Sequence, residues 1–339
     1  MKTREVKLGE VANVKGGKRI PKGIGLINIP NGHPYIRVRD LNNKRLLELD
    51  NSYEYVDNET QKVISKYTVK TGDVVLSIVG TIGLVAIVGR TLDGANLTEN
   101  CVKLSSFHGV NRDFLYYYLR SDCGQQEIRC GTVGAVQAKL PIKNIQNIAI
   151  NLPDYTTQER IASLLLSIDR KIELNQKIND NLEQQAAALF SSLYNRSNTE
   201  VRYTDLIQIL GGGTPKTGET AYWNGNIAFF TPKDVGTPYT FITEKTITEE
   251  GLSHCNSRLY PVNTVFVTAR GTVGKVGLSG VPMAMNQSCY ALVGKETHQL
   301  LVYFYTLKAV DRLKHKASGA VFDAITTRDF DSEQIMKLS

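Results

Sequence analysis

The 339-residue sequence predicts a mixed α+β fold in which two repeated α/β modules are joined by one long helix. Three observations lead to this prediction: the chain length, a sequence unit that occurs twice, and a long segment without glycine or proline. The length suits two domains of roughly 150 residues plus a connector. Hydrophobic residues make up 42% of the chain and charged residues 22%, which is ordinary for a globular protein.

The repeated unit has diverged strongly, but its markers keep their order along the chain. Each copy contains short β-branched runs between Gly, Pro, Asn and Asp turns, followed by a helical stretch with aromatic residues, and this texture predicts an α/β module. The corresponding segments are 9–17 with 204–212, 36–41 with 229–235, 74–83 with 265–274, 99–104 with 287–292, the aromatic segments at Tyr117 and Tyr305, and the GAV triplets 134–136 and 319–321.

A GT(I/V)G element recurs in both copies, at 80–83 and 271–274. Glycines around a β-branched residue suit a tight turn with positive φ between two strands, or a close approach of backbone to a ligand phosphate. The turn is the favoured interpretation. No glycine-rich loop leads from a strand into a helix with Lys-Ser/Thr, so the sequence does not support a P-loop.

The segment 156–196 should form one helix, about 60 Å long at 1.5 Å per residue. Thr156 or Thr157 could cap it, and Glu159 could complete a capping box. Its apolar residues step by four and three, which is typical of a coiled-coil seam. Two asparagines fall on the seam, and the alternative is that the seam shifts to Leu174 and Ile178. The seam residues are Ile161, Leu165, Ile168, Ile172, Asn175, Asn179, Leu182, Ala186, Leu189 and Leu193.

Charge and cysteine content limit the class of protein. Residues 1–155 hold 21 Lys and Arg against 15 Asp and Glu, whereas residues 199–339 hold 14 against 13. The excess of cations lies on the first module, and such an excess favours a polyanionic partner.

Five cysteines without metal-ligand spacing predict reduced thiols in a cytoplasmic protein and no metal site. The most apolar stretch, 74–89, is too short to span a bilayer, so no membrane role is expected.

These features together resemble the specificity subunits of type I restriction-modification systems. The motifs that carry the resemblance are GGTPKTGETAYWNGNIAFFTPKDV at 212–235, the two GT(I/V)G elements, and NLPDYTTQERIASLLLSIDRKIELN at 151–175. The resemblance implies a target-recognition domain at 1–153, a conserved coiled-coil spacer helix at 154–198, and a second target-recognition domain at 199–339.

One departure from the family pattern concerns the second conserved helix, which is missing after the second module. INLP at 150–153 aligns with MKLS at 336–339, where the sequence stops. Either the sequence is truncated, or another copy supplies the helix through self-association of the spacer helix.

The resemblance also implies the function. Each module would read one half of a split target in double-stranded DNA, and the helix would set the gap. The helix would dock a methyltransferase subunit, and an ATP-driven restriction subunit would join the full system. The chain itself would be non-catalytic and hold no cofactor, because S-adenosylmethionine would be bound by the partner.

Base reading and phosphate anchoring require cations, amides and hydroxyls on loops. Arg37 and Arg39 are expected to alternate along one strand face. Tyr116, Tyr117 and Tyr118 are expected in the core rather than stacked on bases, and the five histidines receive no role. The candidate DNA-binding residues are Lys15, Lys18, Arg19, Lys22, Arg37 and Arg39 in the first module and Thr214, Lys216, Lys233, Arg270 and Lys275 in the second.

Two other functions are alternatives to a non-catalytic DNA-specificity subunit. A DNA methyltransferase with its own recognition domain would need a catalytic motif and a glycine-rich loop for S-adenosylmethionine, and neither is found in the sequence. A bipartite protein-interaction scaffold would also suit two modules on a spacer. The affinity of such a scaffold for its partner would depend only weakly on salt, whereas the affinity of a DNA-binding protein for DNA falls steeply as salt rises.

Overall fold

The computed structural model describes residues 3–41, 44–134, 137–236, 238–316 and 324–338. The chain divides into two compact units, Met1–Gln176 and Lys177–Ser339, so the division falls inside the long helix. Both units combine β-sheets with helices, as the predicted mixed fold requires.

The described residues of unit 1 form three sheets, and the longest fully buried strands are VVLS and VAIV. Its elements are β1 Thr3–Lys7, α1 Leu8–Val11, β2 Asn13–Gly16, β3 Pro34–Ile36, a 3-10 turn Val38–Leu41, β4 Leu46–Leu47, β5 Glu54–Tyr55, α2 Asn58–Ile64, β6 Val74–Ser77, β7 Val85–Val88, a 3-10 turn Arg90–Leu92, β8 Asn96–Leu97, β9 Cys101–Ser105, α3 Arg112–Arg120, α4 Asp122–Gly131, α5 Ile142–Gln146 and β10 Ala149–Pro153. The long helix α6, Tyr155–Arg196, follows.

Unit 2 follows the same plan. Its elements after α6 are β11 Glu200–Arg202, α7 Tyr203–Leu206, β12 Ile207–Gly211, a 3-10 turn Thr220–Tyr222, β13 Trp223–Phe230, β14 Tyr239–Thr240, β15 Lys245–Ile247, α8 Glu249–Ser253, β16 Val265–Thr268, β17 Val276–Ser279, β18 Met283–Met285, β19 Cys289–Gly294, α9 Gln299–Lys316, α10 Thr327–Asp331 and β20 Gln334–Met336.

The sheets of the two units correspond strand for strand. The five-stranded sheets have the orders β2-β9-β6-β7-β4 and β12-β19-β16-β17-β14, and the three-stranded sheets have the orders β5-β3-β8 and β15-β13-β18. In each unit the first strand also pairs with the last, β1 with β10 and β11 with β20. This correspondence fits the repeat predicted from the sequence. Of the two GAV triplets, only Gly134 lies within the described residues.

The helix predicted over 156–196 is present as the 42-residue helix α6. Its cap, however, is neither of the two threonines proposed for it. The Asp154 carboxylate accepts hydrogen bonds from the Thr157 backbone N–H at 3.0 Å and from the Thr157 hydroxyl at 2.6 Å. A short acidic side chain immediately before the first turn reaches the third free N–H, so Asp154 satisfies the helix end instead.

Much of the predicted seam on α6 is exposed within the chain, including Ile168, Ile172, Leu182, Leu189 and Leu193. Leu174 and Ile178 of the alternative seam are exposed as well. Asn175 and Asn179 are also exposed. Exposure therefore does not distinguish between the two versions of the seam.

The three consecutive tyrosines of α3 belong to the core of unit 1, as predicted. Tyr116 is fully buried, and Tyr117 and Tyr118 pack against the same core cluster. The Tyr118 hydroxyl donates to the Ala149 carbonyl at 3.0 Å. The Tyr116 ring is therefore inaccessible to a base, and the other two rings are partly buried.

Candidate nucleic-acid interface

The two GT(I/V)G elements are strand-to-strand turns, joining β6 to β7 and β16 to β17. The flanking glycines have positive φ, +79° and +93° at Gly80 and Gly83 and +80° and +74° at Gly271 and Gly274. This conformation is strained for residues with a side chain, so the turn interpretation is confirmed.

A hydroxyl inside each unit holds this turn closed. The Ser77 hydroxyl donates to the Thr81 carbonyl and accepts from the Leu84 N–H. In unit 2 the Thr268 hydroxyl does the same with Thr272 and Lys275. The turn is a rigid feature at the same place in both units.

A second shared feature is the close approach of the segment after β2 and β12 to the neighbouring chain. A Cβ added at Gly17 would lie 2.1 Å from the Thr98 carbonyl oxygen, and one at Gly212 would lie 2.2 Å from the Asn286 oxygen. No side chain fits there. Two residues beyond each glycine, a side chain reaches a matched partner: Arg19 pairs with Glu99, and Thr214 donates to Gln287.

In unit 1 the structure brings several cations together around an exposed aromatic ring. Lys15 and the residues Lys66, Tyr67 and Lys103 line a groove of about 320 Å³, which we call the basic groove. The Lys18 ammonium lies 5.6 Å from the centre of the Tyr67 ring. Cations beside an aromatic face are the groups that anchor phosphates and stack on bases.

Lys66 and Tyr67 were missed by the sequence reasoning. An aromatic residue beside a lysine in a polar segment was the available signal, but it is common on protein surfaces. The pairing of β2 with β9 places Lys15 opposite Lys103, and Lys66 and Tyr67 line the same groove as these two residues.

The expectation that Arg37 and Arg39 alternate along a strand is wrong. Strand β3 ends at Ile36, and 38–41 forms a 3-10 turn. The turn forms because the Asp40 carboxylate accepts a hydrogen bond from the Arg37 backbone N–H at 2.7 Å. Both guanidinium groups instead pair with Glu54, that of Arg39 at 2.7 Å.

Burial has a separate effect on Asp40. The side chain is largely withdrawn from water, and this desolvation raises the pKa of Asp40 to about 6, although Arg39 acts in the opposite direction.

In unit 2 two of the predicted residues flank the glycine turn. Arg270 and Lys275 stand on either side of the glycine turn, and both are exposed. The Arg270 N–H lies 3.3 Å from the Ser288 carbonyl, beside the partner of Thr214. The backbone of Arg270 therefore lies next to the residue that follows the partner of Thr214.

The remaining predicted residues do not join these groups. The Lys216 carbonyl accepts from the Trp223 indole N–H at 3.1 Å, and the Lys233 ammonium lies 3.7 Å from Glu244. Lys22 is exposed on the segment after β2.

The described part of the chain also limits the chemistry. No group of three or more His, Cys, Asp or Glu residues there could hold a metal ion. Among the same residues, no helix has the length and apolar character needed to cross a membrane.

A protein-family comparison matches most of the chain. The family model described as "Type I restriction modification DNA specificity domain" matches residues 2–184 and again residues 195–336. The two matches fall on the two copies of the repeated fold.

Individual relatives carry related names. The chain is 32% identical over 124 residues to the type I restriction enzyme MjaIX specificity subunit of Methanocaldococcus jannaschii, which covers 35% of this chain and 29% of that protein. It is 29% identical over 179 residues to the EcoR124I/EcoR124II specificity subunit of Escherichia coli, which covers 50% of this chain and 43% of the relative. The chain thus spans less than half the length of either relative.

A solved structure has the same fold. The S subunit of a type I restriction-modification system from M. genitalium superposes with a TM-score of 0.60 at 14% sequence identity. The alignment covers 99% of this chain and 84% of that one.

Proposed function

The chain belongs to the family of type I restriction modification DNA specificity domains, and we propose on this premise that it is the DNA sequence-specificity subunit of a type I restriction-modification system. Each unit would contact one half of a bipartite target in double-stranded DNA. The subunit is non-catalytic in this proposal, and it directs a methyltransferase subunit and a restriction subunit to the target. S-adenosylmethionine would be held by the methyltransferase partner.

One observation supports this proposal above the others. The two units repeat the same sheets strand for strand, but matched positions at their edges carry different polar groups. Arg19 with Glu99 in unit 1 stands where Thr214 with Gln287 stands in unit 2. A split target needs one scaffold with two sets of hydrogen-bonding groups, because each half has its own bases.

Phosphate anchoring in unit 1 is assigned to the basic groove. Lys15, Lys18 and Lys66 present cations beside Tyr67, and Lys103 lies 3.4 Å from Asp73, so its charge is partly offset. Arg270 and Lys275 are the corresponding proposal for unit 2. Arg37 and Arg39 rank lower, because Glu54 already pairs with both.

The exposed seam residues of α6 are proposed as the docking surface for the methyltransferase subunit, and we call them the exposed stripe. They are Ile168, Ile172, Leu182, Leu189 and Leu193. Ile168 and Ile172 are 48% and 50% exposed, and replacing both with Glu should abolish assembly while both units stay folded. Ser167→Glu on the same helix is the matched control. Retained assembly of the double variant would contradict docking through this stripe.

A cytoplasmic location is part of the same proposal. Five cysteines are present as free thiols, and reduced thiols are usual in the compartment where cellular DNA is methylated.

The DNA-binding proposal is tested in two steps. The full chain is first co-expressed with its methyltransferase subunit, and the methylated sites of the host DNA are sequenced. A bipartite motif with a constant gap is expected. Exchanging residues 1–150 for those of a relative should then change one half of the motif only.

Affinity for a duplex that carries this motif is measured over a salt series. The slope of log affinity against log salt should be steep, and Lys18→Gln or Lys66→Gln should each reduce it by about one. The control is Lys62→Gln, because Lys62 lies outside the groove and pairs with Glu59 at 2.6 Å. Weak salt dependence would favour the protein-interaction scaffold, and methyl transfer by the purified chain alone would make it an enzyme.

A further inference from the structure

Four arginines line a pocket of unit 1 that the proposed function does not use. The pocket has a volume of about 370 Å³ and lies where the start of β4, the start of α3 and the helix α6 meet. The four side chains come from different elements: Arg45 precedes β4, Arg90 follows β7, Arg112 is the first residue of α3, and Arg170 is on α6.

The charges around this pocket do not balance. Glu48 is the carboxylate of the lining, and it already accepts hydrogen bonds from the N–H groups of Arg90 and Thr91. Asp113, beside the pocket, lies 2.7 Å from Arg112 and 3.4 Å from Arg45. Four guanidinium groups thus line the pocket beside the two carboxylates of Glu48 and Asp113, and the nearby Asp169 carboxylate on α6 accepts the Tyr117 hydroxyl.

Two of the arginines also keep unused donors. The Nε atoms of Arg45 and Arg112 are buried, and neither has an acceptor among the residues that the structure describes. Buried donors are normally paired, so the described protein groups do not satisfy every arginine donor around this pocket. The guanidinium groups of Arg90 and Arg170 are exposed, and a guanidinium group can present two N–H donors to two oxygens of one phosphate.

The matched pocket in unit 2 shows that the fold does not require cations here. Pro238 precedes β14 as Arg45 precedes β4, and Leu300 lies at the start of α9 as Arg112 does at the start of α3. Tyr239 pairs with Leu278 as Leu46 pairs with Ile87. That pocket, of about 410 Å³, is lined mainly by apolar and aromatic side chains.

We infer that the four-arginine pocket of unit 1 binds a phosphate group. A phosphate monoester carries about −1.5 to −2 charges and three acceptor oxygens, which complements the excess of guanidinium charge around the pocket. The phosphate could belong to a small phosphorylated molecule or to a DNA backbone.

The pocket is separate from the glycine turn of unit 1. The glycine turn lies before β7, whereas Arg90 lies beyond the other end of that strand. Phosphate binding in this pocket is therefore independent of how unit 1 reads its target.

The test uses the full chain and inorganic pyrophosphate in calorimetric titrations. The wild-type chain should bind pyrophosphate, and Arg170→Gln should weaken binding at least tenfold. Arg170 is exposed on α6, so its loss should leave the fold intact, which circular dichroism checks. The matched control Arg129→Gln lies on α4 outside the pocket and should bind like the wild type.

The result also separates the two sources. A short duplex that competes with pyrophosphate identifies the DNA backbone as the source, and simultaneous binding of both identifies a small phosphorylated molecule. Failure of the wild type to bind pyrophosphate, or equal binding by wild type, Arg170→Gln and the double variant Arg45→Gln with Arg112→Gln, would overturn the inference. Loss of sequence-specific DNA binding with intact pyrophosphate binding would count against the proposed function alone.

Discussion

The two halves of α6 attach to their units by different chemistry. In unit 1 the contact combines the apolar residues Ala162 and Ile161 with a buried polar side chain. Gln158 is 1% exposed, its side-chain carbonyl accepts the Asn111 backbone N–H at 2.8 Å, and its side-chain amide donates to the Pro153 carbonyl at 2.9 Å. Further along, Asp169 accepts the Tyr117 hydroxyl at 2.7 Å.

In unit 2 the contact is largely aromatic. The Phe190 ring is buried, with its centre 5.1 Å from that of Tyr305 and 5.4 Å from that of Phe304. Tyr194 is buried beside it and lies under the Lys308 ammonium at 4.3 Å.

The fold thus specifies a position for a helix but not the chemistry that holds the helix there. The pockets beside α6 differ in the same way, since the pocket of unit 1 is cationic and the pocket of unit 2 is mainly apolar. Sheet order depends on backbone pairing and buried β-branched residues, which both units keep. Side chains outside that framework are free to diverge, and this freedom suits modules that recognise different ligands.

The largest effect expected from this comparison is the loss of the aromatic contact. Phe190→Ala should destabilise unit 2 by about 3–5 kcal/mol, because it removes a buried ring and leaves a cavity. Trp223, the one tryptophan of the chain, reports on unit 2 by fluorescence during urea unfolding. Leu189→Ala, at a neighbouring side chain that is 62% exposed, is the control and should change little. Equal losses for the two variants would refute the aromatic anchor.

A pH effect should distinguish unit 1. The pKa of Asp40 is about 6 in the folded chain and 3.8 ordinarily, so the folded state favours the protonated carboxyl. Its contribution to stability is complete below about pH 4 and is lost as pH rises through 6, by at most about 3 kcal/mol. In unit 2 the matched Asp234 accepts from the Thr231 hydroxyl and the Glu244 N–H as well.

The measurement is urea unfolding between pH 4 and pH 7, with hydrogen exchange in β6 and β9 as the readout for unit 1. Asp40→Asn keeps an acceptor for the Arg37 N–H but does not titrate, so its stability should fall less over this range. The same slope in both proteins would rule out Asp40 as the cause.

The smallest effect is expected where the two units agree. Tyr117 donates to Asp169, and Tyr303 donates to Glu183 at 2.9 Å. Burial and the neighbouring carboxylate raise the pKa of both phenols, so each stays a neutral donor near pH 7. Tyr117→Phe and Tyr303→Phe should each lose about 1 kcal/mol.

Hydrogen exchange in α3 and α9 would measure these two losses separately. Each substitution is the control for the other, because each should affect its own unit. A loss in only one unit would show that the polar contact is not shared and would widen the difference between the units.

Sequence alone determined the features that depend on local pattern. The glycine turns, the core position of Tyr116 and the helix α6 could be predicted because positive φ, helical spacing of aromatics and a long segment free of Gly and Pro each have a local physical cause. The corresponding segments also predicted that the two modules share one fold, and the matched strand orders fit that prediction.

Tertiary structure alone decided where the charges meet. Nothing in local spacing indicates that Arg37 and Arg39 both reach Glu54, that Lys66 lines the same groove as Lys15, or that four arginines from distant elements line one pocket. Ion pairs and pockets form between residues that are far apart in sequence, and strand pairing sets those distances. Local propensity carries no information about them, because the side chains that meet are chosen by the packing of the whole unit.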